Sequence, residues 1–368
     1  MSPRPEANYF VPTTSKTLDV LEAFKTPGEE LTLEQVVTRA KVARTTAFRI
    51  LYTLEQRRYV TRRGKLYRLN PVRKKIRVGF GSLTDELPFA RVVTSSLMAA
   101  AAPAGIDLLV FDNHRDGPAA IGNARKMVAQ KVDVAIEFQR HVDVSPIIAD
   151  IFSSAGVPLI AVHIPHPGAI YFGVDNYKSG YRAGAALASF AQNRWAGQFD
   201  LLILLDIPQG GIVLQSRIAG VVQALEASLG PLPPGKVARI SGGAERNIAR
   251  RNTAAVLKAN SKAKRILVAA GSDDGSLGAL DALEDAERTA YAGVVGMEGS
   301  EDAISEIAKD KSCYIGTVAF FPEKYGAALI DLVFRLVNGQ QVPPFWYVDH
   351  EFIDRLKARQ ILGSSSAA

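Results

Sequence analysis

Two groups of side chains in this chain have the types and spacing for recognition chemistry. The first is Arg44, Thr45, Thr46, Phe48, Arg49 and Tyr52, followed shortly by Arg62, Arg63 and Lys65. Guanidinium groups, hydroxyls and an ammonium crowded into one short stretch suit the phosphate oxygens and base edges of a nucleic-acid duplex. The second group is dispersed, each part following an apolar run: Ser82 to Glu86, Glu137 to Arg140, His163 to His166, Ser272 to Asp274 and Glu298 to Ser300. Carboxylates, amides and guanidinium groups of this kind bridge hydroxyls, while aromatic faces such as Phe89, Phe138 and Phe320 pack on the carbons of a sugar ring. Polar residues at strand ends also cap the helix that follows, as Asp273 and Asp274 before Gly275 would, and both readings stay open for each of them.

Signatures of catalysis are missing. His163 and His166 in HIPHP lack a third and fourth ligand at suitable spacing, so no metal is expected. Neither a GxSxG elbow, a GxxxxGK[ST] loop nor a phosphate-binding DxGxT occurs. The single cysteine, Cys313, excludes an intrachain disulfide and any multi-cysteine metal site, and beside Tyr314 in an apolar run it reads as core filler. The expectation is a binding protein without cofactor, not an enzyme.

The elements that must position the first group are short helices. Leu18, Val20, Leu21 and Phe24 fall at helical spacing and predict a first helix from about Lys16 to the stop signal Thr26-Pro27-Gly28. Thr32 followed by Gln35 is a capping box that starts a second helix, with Val36, Val37 and Ala40 on its buried face. Ala47, Ile50, Leu51 and Leu54 occupy i, i+3, i+4 and i+7, so a third helix buries that stripe and turns Arg44, Thr45, Phe48, Arg49 and Tyr52 outward. Two short strands between Tyr59 and Leu69 bracket Arg62-Arg63-Gly64-Lys65 as a basic hairpin tip. Residues 1–14, Pro-rich and aperiodic, read as a flexible arm, and 71–75 as a short basic linker.

Charge separates the two parts of the chain. Up to Lys75 there are 16 basic and 7 acidic residues, and beyond it 28 and 30, so an overall net charge of +7 is the sum of +9 and −2. Such asymmetry points to a polyanion partner at one end only. With 368 residues and 47% hydrophobic content, two or three folding units are expected. No run of about 18 apolar residues occurs, and Met1 to Thr14 lack the apolar core of a secretory signal, so a cytoplasmic protein without a membrane partner is expected.

The dispersed group follows strand-like runs that alternate with amphipathic stretches: IRVGF, DLLVF, VDVAIEF, VPLIAVHI, DLLILL, RILVAA, AGVVGM and YIGTV. Repeated β and α units imply an α/β fold of parallel sheets flanked by helices, with ligand outside the carboxyl ends of the strands.

The stretch from Ser15 to Asn70, including LTLEQVVTRAKVARTTAFRILYTLEQRRYVTRRGKLYRL, resembles the winged helix-turn-helix of IclR-type regulators, departing at Lys41, where that family usually has a turn glycine. The resemblance implies a third helix in the major groove and a dimer on a two-fold symmetric operator. Over 76–350, IRVGFGSLTDELPFARV, FGVDNYKSGYRAG, VLQSRIAGVVQAL, VAAGSDDGSLGALDAL, VVGMEGSED and GTVAFFPEKYGAAL resemble ribose-type periplasmic binding proteins and LacI-type repressor cores. That similarity implies a two-lobed sensor, one lobe from 76–175 and 321–349, the other from 176–320 and 350–368. It assigns Ser82, Glu86, Phe89, Glu137, Arg217, Ser272, Asp273 and Glu298 to the ligand cleft, with His163 and Phe320 where sugar binders often carry an acid and a polar residue. Together the two resemblances imply a ligand-responsive transcriptional regulator, expected to repress carbohydrate uptake or catabolism genes, with a sugar-dependent enzyme or a sensor of another small molecule as the alternative.

Overall fold

The structure, a computed structural model, describes residues 10–26, 28–70 and 75–365. It divides into two compact units, residues 1–76 and 77–368. Residues 1–9 of the expected arm and 71–74 of the expected linker lie outside the described residues, as does Pro27.

In the first unit, helix α1 (Pro12–Glu22) starts earlier than the periodicity predicts, because Pro12 with its fixed φ and missing N–H suits the first helical turn. It also ends earlier, and Leu18, expected on the buried stripe, is 53% exposed, while Val20, Ala23 and Phe24 reach the core. A short strand β1 (Glu30–Thr32) leads into α2 (Leu33–Ala40). The capping box forms: the Gln35 amide N–H donates to Thr32 Oγ1 at 3.3 Å, and the Thr32 N–H donates to Gln35 Oε1 at 2.8 Å. Lys41 closes α2 in the left-handed region at φ 53°.

Helix α3 (Arg44–Gln56) buries Ala47, Ile50, Leu51 and Leu54 as its period requires. Strands β2 (Val60–Arg63) and β3 (Leu66–Leu69) form the hairpin, Arg63 pairing with Leu66 across Gly64-Lys65. β1 adds to the free edge of β3, giving an antiparallel sheet β1-β3-β2 rather than two strands alone.

The second unit contains two six-stranded sheets. The first is built from β4 (Arg77–Ser82), β5 (Asp107–Asp112), β6 (Val134–Phe138), β7 (Leu159–Val162) and β8 (Ile170–Gly173), with intervening helices α4 (Pro88–Ala101), α5 (Gly117–Ala129) and α6 (Ser145–Ser154). The second follows α7 (Asn176–Trp195) and takes β9 (Leu201–Asp206), α8 (Gly211–Leu229), β10 (Val237–Ser241), α9 (Arg246–Ala259), β11 (Ile266–Ala270), α10 (Asp273–Asp285), β12 (Ala292–Glu298), α11 (Glu301–Ile307) and β13 (Tyr314–Ala319). The chain then returns to the first sheet with α12 (Tyr325–Val337) and β14 (Phe345–Tyr347), and closes on the second with β15 (Glu351–Asp354) and α13 (Arg355–Ser365).

The resulting orders are β14-β8-β7-β6-β4-β5, all parallel, and β10-β9-β11-β12-β13-β15, parallel except for β15. Parallel strands need crossovers, and the helices supply them on both faces. In the second sheet α7 and α8 cover one face over a core that includes Leu202, Leu204, Val295 and Val318, while α9, α10 and α11 cover the other over Leu201, Ile203, Val268 and Val294. Cys313 belongs to that second layer, 7% exposed.

Two glycines bring α7 against α8. A Cβ on Gly180 would lie 1.8 Å from the carbonyl oxygen of Arg217, and one on Gly220 2.2 Å from that of Tyr177. Only hydrogen at these positions lets the two backbones meet, and this sets where Arg217 stands relative to the start of α7.

Candidate functional site

In the first unit the outward face of α3 is polar and uncovered. Arg44, Thr45, Arg49 and Tyr52 are exposed, Phe48 is 43% exposed, and Thr46 is half-buried. Arg44 donates through Nε to Glu34 Oε1 of α2 at 2.6 Å. On the hairpin, Arg62, Arg63 and Lys65 are exposed; Arg62 folds back, donating through Nε to the Gly64 carbonyl at 2.9 Å and lying 5.5 Å from the Tyr67 ring centroid. Thr45, Phe48, Arg62 and Lys65 all border a shallow depression between helix and hairpin.

The second unit holds a cleft of about 850 Å³, its open mouth included, at the carboxyl ends of the strands of both sheets. Arg217, on the second turn of α8, is its anchor. The side chain is 3% exposed and held from three directions. Nε donates to Asn176 Oδ1 at the start of α7 (2.7 Å), and Nη1 donates to the Gly271 carbonyl after β11 (2.6 Å) and lies 3.7 Å from Glu298 Oε1. The guanidinium carbon stands 5.0 Å from the centroid of the Phe320 ring. Burial lowers its pKa, and the Glu298 carboxylate opposes that shift. Nη2 has no protein partner among the described residues.

Glu298 ends β12 with φ 118°, followed by Gly299 at φ 76°. A non-glycine residue there is strained by roughly 1–3 kcal/mol, and such strain concentrates at binding sites. It turns the carboxylate toward Arg217. Burial pushes the Glu298 carboxyl up to about 8 against the opposing pull of Arg217, with Asp273 and Asp274 adding to the rise.

Ser272 is the N-cap of α10, accepting from the Gly275 N–H at 3.2 Å, and its hydroxyl donates to the Gly243 carbonyl. The cap is therefore Ser272, not Asp273 or Asp274. Asp273 accepts from the Tyr314 hydroxyl (2.7 Å), the Thr317 hydroxyl (2.6 Å) and the Ser300 N–H (2.6 Å), which ties the loop after β12 to the sheet. Burial raises its carboxyl to about 6, opposed by these same hydrogen bonds.

The facing wall comes from the first sheet. His163 lies in the left-handed region at φ 63°, within 5.6–6.3 Å of the rings of Phe89, Phe138, Phe320 and Tyr325. Its Nε2 sits 3.3 Å from the Tyr325 hydroxyl, and its Nδ1 has no partner. Burial first, and the Arg217 charge second, hold its pKa down at about 3, so the imidazole is neutral. Arg140, following β6, reaches across the mouth and pairs through Nη2 with Glu245 Oε1, before α9, at 2.9 Å.

Six of the ten cleft residues implied by resemblance line this space: Phe89, His163, Arg217, Ser272, Asp273 and Glu298. Four do not. Ser82 is buried with its hydroxyl 3.0 Å from that of Thr94. Glu86 projects outward, its side chain 66% exposed and ion-paired with Arg115 at 3.0 Å, because the loop after β4 turns away at Asp85-Glu86. Glu137 belongs to the core: it is fully buried in β6, accepts from Asn113 Nδ2 at 2.7 Å, and burial raises its carboxyl to about 8. Phe320 is buried beneath Arg217, which occupies its ring face.

Ile207, Leu214, Ala244 and Asp302 also line the cleft without having been singled out. Ile207 directly follows β9, so the strand-end rule applied to DLLILL would have found it; Ala244 follows β10, whose weakly apolar sequence gave no strand signal. His166 lies outside the lining, and among the described residues no group of three or more His, Cys, Asp or Glu could hold a metal ion. No described helix is long and apolar enough to cross a membrane.

Comparisons with known proteins agree with these two geometries. The IclR helix-turn-helix domain matches residues 13–64, and the periplasmic binding protein domain matches residues 79–341. Comparison with curated proteins gives no match. Among solved structures, a periplasmic solute-binding protein of an ABC transporter from Actinobacillus succinogenes 130z with bound D-allose is similar at TM-score 0.66 and 23% identity, over 78% of this chain and 100% of that one. A solute-binding protein from Bacillus halodurans C-125 with bound myo-inositol gives 0.70 and 17% over 80% and 99%. One from Agrobacterium vitis with bound allitol gives 0.66 and 18% over 78% and 98%. At these identities the likeness is one of fold. An IclR-type helix-turn-helix precedes the cleft-bearing unit, and the chain belongs to the periplasmic binding protein domain family.

Proposed function

We propose that the protein is a ligand-responsive transcriptional regulator that binds operator DNA through the first unit and a sugar or polyol in the cleft of the second. The observation that carries this reading is the joining in one chain of an IclR helix-turn-helix to a periplasmic-binding-protein fold whose cleft is anchored by a buried arginine. Residues Arg44, Thr45, Thr46, Phe48, Arg49 and Tyr52 of α3 enter the major groove, while Arg62, Arg63 and Lys65 contact phosphates beside it. The +9 charge up to Lys75 supports a polyanion there.

In the cleft, Arg217 Nη2 donates to a ligand hydroxyl and Glu298 pairs with it, while Phe89 and Phe138 cover the carbon face of the ring. A neutral His163 suits an uncharged ligand better than an acidic one. The solutes bound by the similar structures, D-allose, myo-inositol and allitol, support the same class. The protein works in the cytoplasm as a homodimer on a two-fold symmetric operator, as a repressor of carbohydrate uptake or catabolism genes, without catalysis. Ligand shifts the lobes toward a closed form only through its differential affinity for that form, and the Arg140–Glu245 pair across the mouth belongs to it.

The test is a thermal-shift screen of the full chain against monosaccharides and polyols including these three solutes. A ligand that binds only the folded state at 100 times its Kd adds about 2.7 kcal/mol of stability, a rise of several degrees. No shift with any carbohydrate would move the ligand class to other neutral solutes.

A further inference from the structure

Operator binding as described does not say what the Phe48 ring of α3 meets in the groove. Phe48 is 43% exposed although the helix already fills its buried stripe with Ala47, Ile50, Leu51 and Leu54. The ring borders the depression between α3 and the hairpin, where Arg44, Arg62 and Lys65 also converge. Three cations against the single carboxylate of Glu34 around an exposed ring favour a polyanion over an apolar protein groove as the partner.

Arg44 stands one turn before Phe48 on the same flank. Its Nε is held by Glu34 Oε1 at 2.6 Å across the α2–α3 turn, and Nη1 and Nη2 have no protein partner among the described residues. A guanidinium pinned through Nε presents its two terminal nitrogens as an oriented pair, which matches O6 and N7 of guanine. Phe48 has neither donor nor acceptor, and the one apolar group on the major-groove edges is the 5-methyl of thymine. Side chains at i and i+4 lie about 5–6 Å apart at Cβ. Successive bases on a strand rise by about 3.4 Å, so the two contacts fall on bases one or two steps apart.

Resting on the reading of the first unit as an operator binder, we propose that α3 specifies a guanine and a thymine one or two base steps apart, with Arg44, oriented by Glu34, donating to the guanine and Phe48 packing on the thymine methyl. Glu34 is then a positioning residue: it touches no base but fixes the residue that does.

The experiment is selection of binding sites by the full chain from a random duplex library, followed by base and side-chain replacement. The enriched half-site should contain a guanine and a thymine at that spacing. Replacing the thymine by deoxyuridine removes the methyl alone and should weaken binding by roughly fourfold, the value of one buried methyl-sized group. Phe48→Ala should be indifferent to that replacement. Arg44→Ala should lose the guanine preference, and Glu34→Gln should weaken binding to the selected site even though it removes a negative charge. Equal deoxyuridine effects in wild type and Phe48→Ala, no effect in either, or tighter specific binding by Glu34→Gln would each overturn the assignment. If no sequence is enriched, operator binding itself falls. If a sequence is enriched but all its thymines tolerate deoxyuridine, operator binding stands and only the Phe48 contact is lost.

Discussion

Helix α3 and the cleft of the second unit hold their polar groups in opposite ways. On α3, Arg44, Thr45, Arg49 and Tyr52 are exposed and point away from the core. In the cleft, Arg217, Ser272 and Asp273 are at least 97% buried, and most of their hydrogen bonds run to the protein itself. A rigid polyanion outside the molecule can be read by groups that simply project. A small solute must be stripped of water, so each group that meets it is fixed by a second set of partners, and much of the polar inventory near the site serves that support. Asp273, holding Tyr314, Thr317 and the Ser300 N–H, is mainly such a support.

The largest effect that sharpens this contrast is expected from Arg217→Ala. It leaves the Asn176 Oδ1 and the Gly271 carbonyl without their donor in a buried site, and should lower the unfolding free energy by about 3 kcal/mol. Denaturant melts give that value, and the ligand-induced thermal shift should vanish while the folded variant keeps its operator affinity. A variant with undiminished stability and ligand shift would remove Arg217 from the centre of the cleft.

Next is a pH effect confined to the second unit. Burial raises Glu137 and Glu298 from 4.5 to about 8, so the native state keeps protons that the unfolded chain releases, and stability is lost as pH rises from 4.5 through 8. His163 and His166, held down at about 3 and about 4 from 6.5, have the opposite slope below 6.5, where unfolded histidines take up protons that the native ones refuse. Between pH 6.5 and 8 only the two carboxyls among these four groups remain in play. The melting temperature should fall across that interval, and Glu137→Gln should recover roughly half of the fall, on the order of 1–2 kcal/mol. Identical slopes in the two proteins would mean that Glu137 is already ionised in the native state.

Arg49→Ala tests the other side of the comparison. Removing an exposed guanidinium should weaken operator binding by about tenfold in a titration at fixed salt, with unfolding free energy within about 0.5 kcal/mol of wild type and ligand shift unchanged. Loss of both functions would point to misfolding. The smallest effect is at Lys41, which closes α2 at φ 53°, ψ 37°. Lys41→Gly relieves a left-handed non-glycine residue and should raise the unfolding free energy by about 1 kcal/mol, leaving both binding activities unaltered.

The same contrast explains what was legible in the sequence. A surface helix separates its faces by period, so Ala47, Ile50, Leu51 and Leu54 and their exposed neighbours could be sorted from spacing alone. Central parallel strands are buried on both faces, and continuous apolar runs marked seven of them, β4, β6, β7, β9, β11, β12 and β13, with an eighth run on the edge strand β5. In the two large sheets the strands without such runs, β8, β10, β14 and β15, are three to five residues long, and all but β8 lie at sheet edges, where one side is uncovered and no apolar run is needed.

Side-chain roles in the cleft were less readable, because strand-end position does not say which way a loop turns. Glu86 and Glu137 both stand near strand ends with the right chemistry, yet one faces solvent and the other the core. Only the chain's path after β4 and the packing of Glu137 against Asn113 and Gly81 decide between them.

The most direct test of the link between the two regions is operator affinity of the full chain, measured with and without a saturating concentration of a carbohydrate that raises its melting temperature. A coupled regulator should show a change of at least about fivefold, the lower end of ordinary allosteric coupling. Equal affinity in both conditions, with the ligand demonstrably bound, would contradict ligand control of DNA binding.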